Sequence, residues 1–239
     1  MSMSNSFFRF KQFTVYQDLC ALKVGTDGVL LGAWTKIQSA DKRILDIGSG
    51  TGLISLMMAQ RSEAFIDAID IDEGAFRQTA INFEQSPFSA RLHAYHTSLQ
   101  DYFPAQKYDL IVSNPPYFSD SLKSPSQQKN QARHNDSLKF EDLIAKSADI
   151  LNPNGKITLI LPYDAYAEIN NIATAHHFYL NELTKVYPTR NSLHPKRVLL
   201  SYSYIKMDIT KNVLYIEKQR HTYTPEFREL VRNYYLMES

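Results

Sequence analysis

Asn114-Pro115-Pro116-Tyr117 follows an apolar, strand-like run from Tyr108 to Ser113. Neither proline has an N–H to donate, so a sheet ladder stops there. The chain then presents an amide, two stiff residues and an aromatic ring in succession. The Asn114 side-chain oxygen and the Pro115 carbonyl can both accept from a planar –NH₂ group, and the Tyr117 ring offers a stacking face. A second cluster lies earlier, at Asp46-Ile47-Gly48-Ser49-Gly50-Thr51-Gly52. Its glycines let the backbone turn tightly and approach a ligand, and a helix following them would offer free N–H groups to a polar ligand. The spacing is not that of the G-x-G-x-x-G dinucleotide fingerprint. Asp70 ends another apolar run, where an acid beside a glycine-rich turn can accept both hydroxyls of a ribose. Asp72 reads as a helix cap. Ser98 and the Leu99 backbone, in Thr97–Asp101, are candidates for contacts to a nucleoside base. His176-His177 has no partner spacing and reads as solvated or capping.

The elements that must position these groups follow from periodicity. Short apolar runs at Arg43–Ile47, Ala64–Asp70, Arg91–His96, Tyr108–Ser113 and Lys156–Leu161 alternate with helical patterns at Gly52–Arg61, Glu73–Glu84, Lys139–Leu151 and Tyr163–His176. Asn152–Gly155 carries turn chemistry. Phe178–Val186 and Val198–Ile205 read as two last strands. Strands alternating with helices imply an α/β fold around a mostly parallel sheet, covered on both faces. Ahead of this core, Phe7–Val24 alternates like a β-hairpin turning at Gln17-Asp18. Lys23–Gly28 then leads into a short helix capped by Thr26 or Asp27. Thr224 and Pro225 announce a terminal helix. Phe118–Asp136 is polar and long for a loop.

Bulk properties exclude several classes. The 239 residues suit one large domain, the single cysteine permits no internal disulfide, and the net charge of +1 neither demands nor forbids nucleic acid. Charge is unevenly spread: from Lys185 to Ser239 ten Lys/Arg face five acids, and from Ser121 to Lys139 four basic residues face one. Such local patches are what phosphate binding needs. No apolar run is long enough to span a bilayer, no signal-peptide pattern opens the chain, and no zinc-type Cys/His spacing occurs. We expect a soluble cytoplasmic protein without metal.

The glycine-rich turn, the acid after the second core strand and the tetrapeptide after the fourth together resemble the class I S-adenosylmethionine-dependent methyltransferases, over roughly Lys42 to Leu161. The tetrapeptide is similar to that of the amino-methylating group, which acts on adenine N6, cytosine N4 or a glutamine amide. Lys23–Trp34, Ala132-Arg133-His134, the Leu161-Pro162 strand end and the closing Tyr-rich helix are similar to the bacterial tRNA1(Val) (adenine-37-N6)-methyltransferase family, nearly end to end. The resemblance implies a Rossmann-like fold with a mostly parallel seven-stranded sheet, helices on both faces and an N-terminal hairpin. It implies one domain over 1–239, with a hairpin-and-helix extension at 1–40, the core at 41–206 and a helical extension at 207–239.

It further implies S-adenosylmethionine as cofactor, held by Thr26, Asp46, Gly48, Gly50, Gly52, Asp70, Ile71, Ser98, Leu99 and Asn114. Catalysis would fall to Asn114, Pro115, Pro116 and Tyr117. Substrate contacts would come from Lys23, Tyr117, Phe118, Arg133 and His134, although Arg133 and His134 read equally well as loop-ordering or plain surface residues. Ser98 departs from a family pattern in which an acid often follows the third strand. The expected substrate is a tRNA anticodon loop, because a loop base is easier to extrude than a paired one, and the expected state is a monomer. The alternatives are a glutamine-N5 methyltransferase acting on a protein, a DNA adenine-N6 methyltransferase, and a non-catalytic adenosine-binding module. The first usually carries a helical N-terminal domain, the second a target-recognition domain, and intact Asn114 and Tyr117 argue against the third.

Overall fold

Nine strands form one sheet, and its central strands carry β-branched and aliphatic runs that are apolar on both sides, as strands covered by helices must be. The computed structural model describes residues 6–21, 23–116, 138–220 and 222–236. In chain order the strands are β1 (Phe7–Arg9), β2 (Thr14–Tyr16), β3 (Arg43–Ile47), β4 (Phe65–Asp70), β5 (Leu92–His96), β6 (Tyr108–Ser113), β7 (Leu151–Pro162), β8 (Tyr179–Thr189), β9 (Arg197–Ser203), β10 (Thr210–Gln219) and β11 (Thr222–Tyr223). The helices are α1 (Thr26–Trp34), α2 (Leu53–Ala59), α3 (Glu73–Glu84), α4 (Phe140–Ile150), α5 (Tyr166–Ala175) and α6 (Pro225–Val231). The sheet order is β11-β10-β8-β9-β7-β6-β3-β4-β5, with β9 and β11 antiparallel to their neighbours and the other pairings parallel. Two apolar clusters sandwich it. One gathers α1, α2, α3 and α6 with the β1–β2 hairpin, the other α4 and α5.

Several boundaries differ from expectation for local reasons. The hairpin turns at Lys11-Gln12, where the Phe10 amide donates to the Phe13 carbonyl at 2.9 Å, rather than at Gln17-Asp18. Burial of Phe10, Phe13 and Val15 fixes that register. Gln17 instead uses its amide oxygen to accept from Val24 N at 2.8 Å. The α1 N-cap is Gly25, without a side-chain hydrogen bond. Asp27 is drawn to Arg197 at 2.7 Å, a charge-assisted bond stronger than a cap to a neutral amide. Asn152–Gly155 bulges within β7 instead of preceding it, as the register jumps from Tyr108–Leu151 to Leu110–Lys156.

The seven strands of the expected core are all present, and β10 and β11 extend the sheet into a segment expected to be helical. Thr224 does cap α6, its hydroxyl accepting from Phe227 N at 3.1 Å. Asp72 caps α3 in the same way, accepting from Ala75 N at 2.8 Å. Among the described residues no helix is long and apolar enough to cross a membrane.

Candidate active site at the carboxyl edge of the sheet

The carboxyl ends of β3, β4, β5 and β6 lie side by side, and the sequence motifs sit at those ends. Ile47 pairs with Ile69 on one side and with Ser113 on the other. The Ser113 hydroxyl also donates to the Ile47 carbonyl at 2.8 Å. Asn114, the next residue of β6's chain, therefore stands beside Gly48. Asn114 is half-buried, Pro115 buried and Pro116 exposed. Tyr117, Phe118, Arg133 and His134 lie outside the described residues.

The glycine turn curls back over β4. Gly48 N and Ser49 N both donate to the Ile69 carbonyl, at 2.9 and 3.1 Å. Gly48 has φ +74 and open space where a Cβ would stand, so the backbone there faces an approachable edge. Gly52 has φ +75, and a Cβ would meet Phe83 at 2.8 Å and Thr79 at 3.2 Å. Left-handed backbone and lack of room both require glycine at 52.

Asp46, the penultimate residue of β3, is fully buried. Its Oδ2 accepts from Ser55 N at 3.2 Å and from Ser55 Oγ at 2.7 Å. Its Oδ1 has no hydrogen-bond partner among the described residues. Burial pushes the carboxyl up to about 6, against the Ser55 hydrogen bonds, and the charge of Asp70 adds to the rise. Asp70 is also raised by burial, opposed by the N–H groups it accepts. Those are Gly50 N at 2.8 Å on Oδ2 and Asp72 N at 2.9 Å on Oδ1. Each Asp70 oxygen keeps one acceptor position, which two vicinal hydroxyls can fill. The two acids give this edge of the sheet acceptors that suit a ligand with positive charge and hydroxyls.

Around it, Ile71 is 58% exposed, an unusual state for an aliphatic side chain at a strand end. The β5 end is tied in by Thr97 N donating to Asp70 O at 3.1 Å. Leu99 is buried. The Ser98 hydroxyl donates to Asp101 Oδ2 at 2.7 Å and accepts from Asp101 N at 3.1 Å. That turn brings an exposed carboxylate, Asp101, to the corner where the sequence places a serine. Sequence reasoning missed Asp101 because the approach depends on this turn, although a serine three residues before an acid is its signal.

The N-terminal segment crosses the same edge. Leu19 N donates to Gln78 Oε1 at 2.8 Å, and the Cys20 sulfur lies 3.9 Å from where a Gly50 Cβ would be. Asn82 holds Tyr16 through both its amide atoms and also donates to Thr51 O at 2.8 Å. Gly28 packs against Leu53 at the start of α2. Lys23 and Thr26 are exposed and lie within five residues of that Gly28 contact. Among the described residues no His/Cys/Asp/Glu group has the arrangement to hold a metal.

The family profile described as Methyltransferase small domain matches residues 25–168. A tRNA1(Val) (adenine(37)-N6)-methyltransferase of Bacteroides fragilis is 47% identical, over 98% of this chain and 99% of its own. One of that description from Christiangramia forsetii is 44% identical over 98% and 99%. Among solved structures, a predicted O-methyltransferase from Agrobacterium tumefaciens superposes with a TM-score of 0.68 at 20% identity, covering 87% of this chain and 96% of that one. A glycopeptide N-methyltransferase bound to S-adenosylmethionine gives 0.55 at 11% identity, covering 77% and 90%.

Proposed function

The chain belongs to the tRNA1(Val) (adenine(37)-N6)-methyltransferase family, and from that membership we propose how its residues methylate adenine N6 in a tRNA anticodon loop, adenine-37 of tRNA1(Val) being the target. The enzyme is an S-adenosylmethionine-dependent methyltransferase. The observation that carries the reading is the register of β3 and β6, which sets Asn114 beside the open backbone of Gly48. An acceptor for an amino group thus adjoins the pocket that fits the methyl donor.

That fit rests on the residues themselves. Asp46 Oδ1 is a buried carboxylate oxygen without a partner among the described residues, which costs on the order of 1–3 kcal/mol until something donates to it. Asp70 retains an acceptor position on each oxygen for ribose hydroxyls. Ile71 and Leu99 supply apolar surface for the adenine, and Asp101 an acceptor for its amino group. Gly48, Gly50 and Gly52 keep the backbone close to the ligand, and Thr26 closes the pocket from α1. When bound, S-adenosylmethionine supplies a methyl group on a positively charged sulfur.

Adenine N6 is a poor nucleophile because its lone pair is delocalised into the ring. Asn114 Oδ1 and the Pro115 carbonyl would accept its two hydrogens and aim the lone pair at the methyl; as N6–CH₃ forms the sulfur–methyl bond would break, S-adenosylhomocysteine would leave, and N6 would release one hydrogen as a proton to solvent. Both acceptors bind more strongly as N6 gains positive charge, so they favour the transition state over the ground state. Pro115 and Pro116 fix this geometry in advance and lower the entropy lost on alignment. Tyr117 stacks on the extruded base, with Phe118, Lys23, Arg133 and His134 completing the substrate side. Lys23–Gly28 acts as a flap over the cofactor and substrate, and the protein works as a cytoplasmic monomer.

The test is incubation with labelled S-adenosylmethionine and, separately, bulk tRNA, release factor and duplex DNA. Digestion then identifies the product. We expect N6-methyladenosine in tRNA alone; methylglutamine in release factor, with unlabelled tRNA, would overturn the assignment.

A further inference from the structure

The carboxyl edge of the sheet is stepped, and the step lies next to Asn114. Ser113, the end of β6, is level with Leu159 of β7, Leu200 of β9, Leu183 of β8 and Lys211 of β10. From that level β8 continues to Thr189 and β10 to Gln219. At about 3.3 Å per residue, β8 rises roughly 20 Å above the end of β6, some three strand spacings or about 14 Å to its side. The outer strands form a wall beside the catalytic edge.

The two faces of this wall differ. Val186 and Leu214 pack into the cluster with α1 and α6. The opposite face carries Lys185, level with Val213, and Tyr187, level with Tyr215. The Tyr187 and Tyr215 rings lie 5.1 Å apart, and Lys185 Nζ sits 5.3 Å from the centre of the Tyr163 ring at the end of β7. All four residues are partly exposed, and Val213 is 54% exposed. The charge is equally one-sided. From Leu183 to Met207 the chain has Lys185, Arg190, Lys196, Arg197 and Lys206 and no acid. Arg190 and Arg197 are engaged by Glu226 and Asp27. Lys185 and Lys196 have no carboxylate partner among the described residues. The nearby acids are Glu217, level with Thr189, and Asp164, next to Tyr163.

We propose that this wall is the docking surface for the RNA that flanks the target base, with Tyr187 and Tyr215 stacking on unpaired loop nucleotides and Lys185 and Lys196 holding phosphates. Lysines interleaved with exposed aromatic rings are what a single-stranded RNA segment needs, since every base has a stackable face. The wall rises beside the edge where the base must enter, about 14 Å from the end of β6, within reach of an RNA loop held by Asn114. The inference rests on the reading of the site as a tRNA adenine methyltransferase and deepens it by naming what grips the rest of the loop.

The test compares wild type with Lys185→Gln/Lys196→Gln and with Tyr187→Ala and Tyr187→Phe, using unmodified tRNA1(Val) transcript. Fluorescence anisotropy over a salt series reads RNA affinity, calorimetry reads S-adenosylmethionine binding, and thermal melting checks the fold. Loss of two phosphate contacts should lower the slope of log K against log salt by about 1.4–1.8. Tyr187→Ala should raise the tRNA Kd and KM roughly tenfold, with Tyr187→Phe near wild type. S-adenosylmethionine affinity and kcat at saturating tRNA should stay unchanged in all three. If tRNA affinity and salt slope match wild type in both the double variant and Tyr187→Ala, the wall does not dock RNA and the proposal fails. A wild-type protein that methylates no tRNA would sink the functional reading by itself, and the binding series would still decide the surface.

Discussion

Replacing Asp46 by Asn should make the ligand-free protein more stable while weakening its hold on S-adenosylmethionine. Asp46 is fully buried, with one oxygen on Ser55 and the other without a partner among the described residues. Its pKa rises from the ordinary 3.8 to about 6, which corresponds to about 3 kcal/mol between its protonation states. The sign follows from proton linkage. Below the unfolded value both states are protonated and nothing is lost. Between 3.8 and about 6 the native state keeps a proton that the unfolded chain has released, so stability falls as pH rises. Above that range the full cost is present. Asn preserves an acceptor for Ser55 and removes the buried charge, while exchanging an unpartnered oxygen for an unpartnered amide. The gain at pH 8 should be about 1–3 kcal/mol, which at about 2–4 °C per kcal/mol for a chain of this size is about 2–12 °C in Tm. It should shrink towards zero near pH 4. The assay is urea unfolding of both proteins, without ligand, across pH 4 to 8, followed by calorimetry with S-adenosylmethionine, whose affinity should drop on the order of tenfold. A variant less stable than wild type at pH 8, or a stability difference independent of pH, would refute the argument from buried charge.

Gly52→Ala combines φ +75 with a Cβ 2.8 Å from Phe83. It should destabilise by about 2–4 kcal/mol, read from the urea midpoint at unchanged m-value. Asp101→Ala removes the acid that Ser98 holds at the cofactor corner. S-adenosylmethionine Kd should rise on the order of tenfold with the tRNA salt slope unaltered; an unchanged Kd would remove Asp101 from the site. Arg197→Gln breaks the 2.7 Å pair with Asp27 that links β9 to the start of α1. The partly exposed pair should contribute no more than about 1 kcal/mol to stability, so a much larger loss in unfolding would show a different role.

Much of the core was legible because each strand is a short, uninterrupted apolar run bounded by polar or turn residues. Arg43–Ile47, Tyr108–Ser113 and Glu73–Glu84 have the bounds that their patterns predict. Cap chemistry is equally local, which is why Asp72 and Thr224 read correctly. What escaped depended on distant partners. The hairpin turn is set by where Phe10 and Phe13 are buried, and alternation alone fits two registers. Asp27 reads as a cap until Arg197, far along the chain, claims it. β10 has a clear Val213–Ile216 apolar run, but its length and edge position come from pairing with β8. At the site, the sequence names Asp46, the three glycines, Asp70 and Asn114, while only the β3–β6 register shows that Asn114 adjoins Gly48.

The proposed grip of Asn114 on the amino group directs the methyl to adenine N6. Its most direct test is single-turnover methylation of tRNA1(Val) transcript at saturating S-adenosylmethionine, with the modified nucleotide mapped, for wild type and Asn114→Ala. We predict N6-methyladenosine at position 37 for wild type. The variant should be slower by on the order of 10²–10³-fold, with S-adenosylmethionine affinity changed far less. Full-rate methylation by Asn114→Ala, or a methyl group on any other atom of the RNA, would contradict the account.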